Sequence, residues 1–290
     1  YDMKFSLGTA QFGLNYGITN TRGQILQKEI TKIIRYSENK GIDSIDTAVA
    51  YGDSERFIGR AGVNGWKVVT KIPEIPNQIK DQDQWLRDQI NSSLKKLKIK
   101  SLHGVLLHRP LQLDDLRNKT IWLTLKQLKS EGLVANIGYS IYSPKELDIL
   151  WHQFQPDLVQ APYNIFDRRL EMSGWLDKLF DEGVEIHVRS IFLQGLLLTA
   201  LEEIPDKFKK WESLFHSWDR FTHQKSVEKL QNAITFVLND PRITRAIVGI
   251  DSLRQLNDIL EIIPEKNLIF PENLSTNDEQ LINPSNWELL

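Results

Sequence analysis

Four polar residues attract attention by where they fall: Asp46 and Tyr51 just after the apolar run ending at Ile45, Lys71 inside the run 67–72, and His108 directly after the run 104–107. A tyrosine hydroxyl, with a reference pKa of about 10, is a weak acid at neutral pH, and a neighbouring ammonium makes it more acidic by favouring the phenolate. Lys71 is expected to supply that charge. Asp46 would hold Lys71 charged and oriented through a charge-assisted hydrogen bond, while His108 would donate to a substrate oxygen as negative charge develops on it. Together these groups polarise a carbonyl and protonate its oxygen. None of them can deliver a hydride, so the chemistry calls for a nicotinamide. The chain lacks the strand, glycine-rich turn and helix fingerprint of a dinucleotide fold, so the cofactor would be held in another way.

The elements that must position these residues follow from the hydrophobic pattern. Short apolar runs at 4–8, 44–46, 67–72, 104–107, 136–140, 158–161, 185–190 and 245–248 read as eight strands. Between them lie helical spacings at 27–40, 54–60, 84–97 and 120–129, a helix opened by Ser143-Pro144, and a last one at 252–262. Gly41 and Gly132 are placed to end two of them. This alternation is the signature of parallel βα units, and the expected fold is a single-domain α/β (β/α)8 barrel, the TIM barrel, over residues 1–290. The stretch of about 200–240, with Trp211, Phe215, Trp218 and Phe221, reads as an inserted segment packing over the barrel before strand eight, and about 264–290 as a tail. The active site of such a barrel sits at the C-terminal strand ends, where Asp46, Tyr51, Lys71 and His108 fall.

Composition agrees. A length of 290 residues suits one barrel of roughly 250 residues plus insertions. With 41% hydrophobic and 26% charged residues and a formal net charge of -2, the chain has no basic stripe, which argues against nucleic-acid and membrane partners. There are no cysteines, which excludes a disulfide framework, a thiolate metal site and a cysteine nucleophile. The histidines show no metal-ligand spacing, so no metal is expected. Met3 is a candidate start residue, no apolar run of signal-peptide length follows it, and the cytoplasm is the expected compartment.

Several segments taken together resemble the aldo-keto reductase superfamily: Gly8-Thr9-Ala10-Gln11-Phe12-Gly13, Ile45-Asp46-Thr47-Ala48-Val49-Ala50-Tyr51-Gly52, Thr70-Lys71, Leu107-His108-Arg109-Pro110, Ile137-Gly138-Tyr139-Ser140, Gln160-Ala161-Pro162-Tyr163-Asn164, Ser190 through Leu197, and Ile247 through Ser252. The resemblance implies a catalytic Asp46, Tyr51, Lys71, His108 tetrad, metal-free, that interconverts aldehydes or ketones with alcohols using NADPH or NADH, Tyr51 being the general acid. It implies that Gly8 and Thr9 belong to the cofactor site, that Ser140 and Gln160 hold the nicotinamide carboxamide, that Ser190, Leu193 and Gly195 surround the pyrophosphate, and that Gly249, Ser252, Gln255 and Asp258 face the adenosine. Phe12, Tyr163 and Phe166, just past strand ends, are candidates for the substrate wall. The likeness further suggests a sugar or sugar derivative as substrate.

Three positions depart from the family pattern. Arg189 stands where an aromatic residue commonly stacks on the nicotinamide, and a guanidinium plane can stack as well. Ile141 replaces an asparagine that hydrogen-bonds the carboxamide, and Gln255 occupies the place of an arginine that clamps the 2′-phosphate. Relaxed or dual use of NADPH and NADH is therefore expected. Two other readings of the same residues are a lyase forming a Schiff base at Lys71 and a nucleotide-binding regulatory module with little turnover.

Overall fold

In a computed structural model, residues 4–15, 24–115, 118–223 and 226–290 are described; Met3 lies outside them. Eight strands, β1 (Phe5–Gly8), β2 (Ser44–Asp46), β3 (Lys67–Ile72), β4 (Leu102–Leu107), β5 (Val134–Ser140), β6 (Leu158–Pro162), β7 (Glu185–Arg189) and β8 (Arg245–Gly249), pair in parallel in chain order, and β8 returns to β1 to close a barrel. The strands match the apolar runs closely. β4 and β5 each start two residues earlier than their patterns suggest, because Leu102 pairs with Val134. β7 ends one residue sooner, at Arg189, since Ser190 turns to φ +59 and leaves the extended conformation.

The helices are α1 (Ala10–Gly13), α2 (Gln27–Asn39), α3 (Ser54–Ala61), α4 (Gln82–Leu97), α5 (Lys119–Ser130), α6 (Lys145–Leu150), α7 (Arg169–Met172), α8 (Trp175–Asp181), α9 (Glu212–Phe221), α10 (Ser226–Leu238), α11 (Leu253–Leu260) and α12 (Glu279–Ile282). α2 shows why they dock: Ile30, Ile33 and Ile34, spaced for one helical face, are all fully buried. The main core lies between this helical layer and the outer face of the barrel.

Inside the barrel, Val69, Leu106 and Leu158 form a separate apolar plug. Side chains two residues apart on a strand share a face. One step further toward the C-terminal ends, that same inward face therefore carries Lys71 on β3, His108 beyond β4 and Gln160 on β6. Asp46 stands in the same relation to Ser44, whose hydroxyl donates to Ser6 across β1 and β2 at 2.9 Å. The strand pleat alone gathers the polar residues above the plug.

The long connection between β7 and β8 runs through 3-10 turns at Leu193–Leu198, Leu201–Glu203 and Asp206–Trp211 to α9 and then α10. Within the stretch expected as an insertion, α10 buries Ala233, Ile234 and Val237 and leads directly into β8. The Trp218 indole donates to Leu197 O at 2.8 Å, and Lys229 pairs with Asp219 at 2.8 Å, both nearly buried. The tail folds back, with Trp287 packed edge-on against Phe208 at 4.9 Å. Among the described residues, no helix is long and apolar enough to cross a membrane.

Candidate active site

At the C-terminal end of the barrel the Lys71 ammonium donates to Asp46 Oδ2 at 2.6 Å and to the Thr47 carbonyl at 3.0 Å. Gln160 Nε2 donates to the other carboxylate oxygen, Oδ1, at 2.7 Å. Lys71 Nζ also lies 5.0 Å from the centre of the Tyr51 ring, close enough for a cation–π contact. Tyr51 meets the His108 ring edge-on at 6.1 Å. The four residues predicted to act together are thus adjacent, from β2, the loop after it, β3 and the end of β4.

Two glycines fix the Tyr51 loop. A Cβ on Gly13 would sit 1.7 Å from the Tyr51 carbonyl oxygen, and one on Gly52, itself at φ +56, would sit 2.7 Å from Gly13 O. Neither position admits a side chain without moving the backbone that carries Tyr51. A hydroxyl chain completes the support: Thr47 donates to Ser54, and Ser54 lies 2.9 Å from Thr9 Oγ1, all three buried.

The electrostatics correct one expectation. On balance Tyr51 is not more acidic than a free tyrosine: burial, followed by the Asp46 carboxylate, raises the phenol above its ordinary value and outweighs the neighbouring cations, Arg189 only partly opposing. Tyr51 is therefore a firmly protonated hydroxyl at neutral pH. Burial lowers the Lys71 ammonium while Asp46 works in the opposite direction. His108 is pushed down to about 3, first by burial and then by the charges of Lys71, Arg189 and Arg109, so it is a neutral imidazole with one N–H to donate.

These side chains open into a cleft of about 700 Å³. Asp46, Tyr51 and His108 line its floor; Lys71, 1% exposed, lies beneath them and contributes no surface. An imine at Lys71 would require pulling it away from Asp46 and Thr47. Of the residues expected around a cofactor, Gly8, Thr9, Ser140, Gln160, Arg189, Ser190, Gly195, Gly249 and Gln255 line the cleft. Leu193 does not, being fully buried, and neither do Ser252 and Asp258. Ser252 instead caps α11, accepting from Gln255 N, while Gln255 Oε1 takes the Asp251 N–H at 2.8 Å.

The three aromatic residues expected on the substrate wall lie elsewhere. Phe12 is fully buried. Tyr163 stacks obliquely on Phe236 at 5.0 Å, with its hydroxyl on Glu171, and Phe166 packs on Phe215 at 5.5 Å. For Phe166 the cause is Asn164, whose side-chain oxygen accepts the N–H groups of Phe166 and Asp167 and turns the loop into the core. Walls the sequence did not mark come from Gln11, Tyr142, Glu203 and the tail residues Pro284, Ser285 and Glu288. Gln11 sat inside a recognised motif; nothing in the local pattern singled out Tyr142 or the tail.

Comparison with known proteins gives the class of this site. The Aldo/keto reductase family matches residues 4–271. The chain belongs to that family. It is 25% identical over 270 residues, 81% of this chain and 79% of the other, to the aldo-keto reductase YhdN of Bacillus subtilis. It is 24% identical to the L-glyceraldehyde 3-phosphate reductase of Escherichia coli O157:H7, over 68% of this chain and 63% of that one. The aldo-keto reductase AKR11C1 from Bacillus halodurans, in its holo form, superposes with a TM-score of 0.72 at 20% identity, covering 93% of this chain and 89% of that one. The family consists of oxidoreductases acting on carbonyls with nicotinamide cofactors.

This aldo-keto reductase has the features such a cofactor needs. Gln160 lines the cleft, and its Oε1 is buried with no partner among the described residues, an acceptor matched to an amide N–H. Ser190, Leu193 and Gln194 hold positive φ of 59, 48 and 53, followed by Gly195 at 93. Strain of this kind persists only where the surroundings impose it, here through Asn164 Nδ2 donating to the Ser190 carbonyl at 2.9 Å. The residues present fit a nicotinamide dinucleotide.

Proposed function

We propose that the protein is an NAD(P)H-dependent reductase of a small polar aldehyde or ketone, with Tyr51 as the proton donor. The observation that carries this reading is Tyr51 on the floor of the cleft, its ring 5.0 Å from the Lys71 ammonium of the buried Asp46–Lys71 pair. A nicotinamide, when bound, supplies the hydride. Gln160, Ser140, Ser190 and Gly195 are the residues assigned to hold the dinucleotide.

The chain's own residues do the rest. His108, neutral, donates its N–H to the substrate carbonyl and orients it. As negative charge gathers on the carbonyl oxygen, the Tyr51 hydroxyl transfers its proton there, and the Lys71 ammonium 5.0 Å from the ring centre favours the phenolate left behind. Asp46 and Gln160 keep Lys71 in place throughout. A protonated, desolvated tyrosine suits a donor that must release its proton only when an alkoxide forms beside it.

Reduction of a sugar derivative fits the polar side chains on the cleft walls, among them Gln11, Ser140 and Ser285, and one relative is named for L-glyceraldehyde 3-phosphate. The cytoplasm, where reduced nicotinamides are supplied, is the expected compartment. The decisive experiment titrates the protein with NADPH and with NADH, following tryptophan fluorescence, and then measures loss of nicotinamide absorbance with a panel of aldehydes. Saturable micromolar binding with aldehyde-dependent oxidation is expected; no binding of either dinucleotide would overturn the reading.

A further inference from the structure

Charge is distributed unevenly around the cleft. Beyond the floor, where Asp46 and Lys71 neutralise each other, the walls following β7 and β8 and the tail carry the carboxylates Glu203, Asp251 and Glu288. Positive charge gathers beside Tyr142, which follows β5 and lines the cleft: Arg109, just past β4, and Arg189, which ends β7 and reaches across to the Ile141 carbonyl, each place a guanidinium carbon 4.7 Å from the centre of its ring. The two cations are therefore held within about 9 Å of each other.

Neither arginine is neutralised. Arg189 donates to the Ile141 carbonyl at 2.9 Å and contacts Ser190 Oγ at 3.4 Å, both uncharged, and among the described residues neither arginine has a carboxylate partner. Arg109 is exposed and donates to no described residue. An arginine offers five N–H donors in a planar fork matched to carboxylate and phosphate oxygens, and most of those here are unspent. Packing on Tyr142 restrains both side chains, so less conformational freedom remains to be lost on binding an anion. Arg189 itself lines the cleft beside Tyr142 and His108, while Arg109, which follows His108 in the chain, stands against Tyr142 behind that lining.

We propose that Arg109 and Arg189, braced on Tyr142, bind an anionic group of the substrate, so that the preferred carbonyl compounds carry a carboxylate or a phosphate. The proposal rests on the reductase reading of the same site. An anion on this side would bring its carbonyl toward His108 and Tyr51, and the carboxylates of the opposite wall would disfavour the reversed orientation. The arginine field also favours the negative charge that develops on the carbonyl oxygen, so charge complementarity acts on both binding and turnover.

The test compares two matched pairs, 4-carboxybenzaldehyde with methyl 4-formylbenzoate, and glyceraldehyde 3-phosphate with glyceraldehyde, in the wild type and in Arg109→Gln and Arg109→Lys. In at least one pair the anionic member is expected to show kcat/KM at least tenfold above its neutral partner at low salt. That advantage should shrink with added salt, as expected for partly exposed charges. Preference for the carboxylate pair or for the phosphate pair identifies which anion is recognised. In Arg109→Gln the anionic-to-neutral ratio should fall at least fivefold, and Arg109→Lys should restore part of it. Equal or better turnover of the neutral members, or a ratio unchanged in Arg109→Gln, would overturn this proposal while leaving the reductase intact. Turnover of none of the four aldehydes would overturn the reductase reading, and this proposal with it.

Discussion

Asp46 is gripped from both sides: Lys71 takes one carboxylate oxygen at 2.6 Å and Gln160 takes the other at 2.7 Å. The carboxylate therefore serves as the shared anchor of the lysine and the amide, and it ties β2, β3 and β6 together above the barrel plug. Replacing it by an amide leaves a buried ammonium without a counter-charge. Asp46→Asn is expected to cost about 3 kcal/mol of unfolding free energy in urea titration and to abolish most turnover. A loss below about 1 kcal/mol would mean that Lys71 is neutral in the wild type and gains little from the carboxylate.

Tyr51→Phe removes one oxygen and keeps the ring that covers Lys71. Turnover is expected to fall by roughly 10²–10⁴-fold, the usual contribution of a positioned proton donor. Dinucleotide affinity, read by tryptophan fluorescence, should stay within about threefold of the wild type, because only the proton donor is lost. Retained turnover would remove Tyr51 from the mechanism.

His108 makes stability depend on pH. Its folded-state pKa of about 3 lies below the ordinary value of 6.5, so the unfolded chain takes up a proton as pH falls through 6.5 while the folded protein does not until about 3. Stability is accordingly lost between those two values. At pH 5 the contribution is about 2 kcal/mol by linkage. The drop in unfolding free energy between pH 7.5 and pH 5 should be smaller by about that amount in His108→Gln. Identical drops in the two proteins would show that the imidazole is protonated in the fold. His187, buried and also lowered, acts in the same direction and is unaffected by that substitution.

Gly13 approaches the Tyr51 carbonyl so closely that Gly13→Ala must displace the loop. A shift of about 1 Å at a catalytic group typically costs about 10²-fold in rate. We expect kcat to fall by that order while the protein still unfolds cooperatively, with circular dichroism and urea titration as the checks. Unchanged kcat would mean that the loop can relax without moving the hydroxyl.

Cofactor choice should be relaxed. Gln255, in the place where an arginine clamp is common, is occupied with the Asp251 N–H, and the neighbouring cleft walls bear Glu203, Asp251 and Glu288. No cationic side chain among the described residues lining the cleft lies on this side to reward a 2′-phosphate. The ratio of dissociation constants for NADH and NADPH should stay under about a hundredfold, equivalent to about 2.7 kcal/mol. A larger preference for NADPH would place an unrecognised cation at the adenosine end.

The barrel was legible because parallel strands are buried on both faces and stand out as compact apolar runs, and because Asp46 and Lys71 lie at the C-terminal ends of their runs and His108 directly after its own. Position alone therefore brought this polar group together in the sequence, and the fold sets its members side by side. Direction after a strand end is another matter. Tyr163 stands as close to its strand end as His108 does, and Phe12 and Phe166 follow within four residues, yet the Asn164 turn sends Phe166 into the core, and no pattern in the sequence reports that turn's hand. Burial was equally hidden. The nearness of a lysine suggested an acidic tyrosine, whereas desolvation and the Asp46 charge, both products of the folded chain, set the opposite sign.

The tail gives the architecture a division of labour. Pro284, Ser285 and Glu288 face the cleft, while Trp287 between them is held by Phe208 and by Lys207 donating to its carbonyl at 3.0 Å. The segment forms no part of any barrel strand. With Asn283, the tail gives four positions to the cleft wall, and substitutions there can reshape the ligand chamber while the tryptophan keeps the segment docked, so selectivity is free to diverge along a short stretch of chain that lies outside the barrel strands and the Asp46–Lys71 floor.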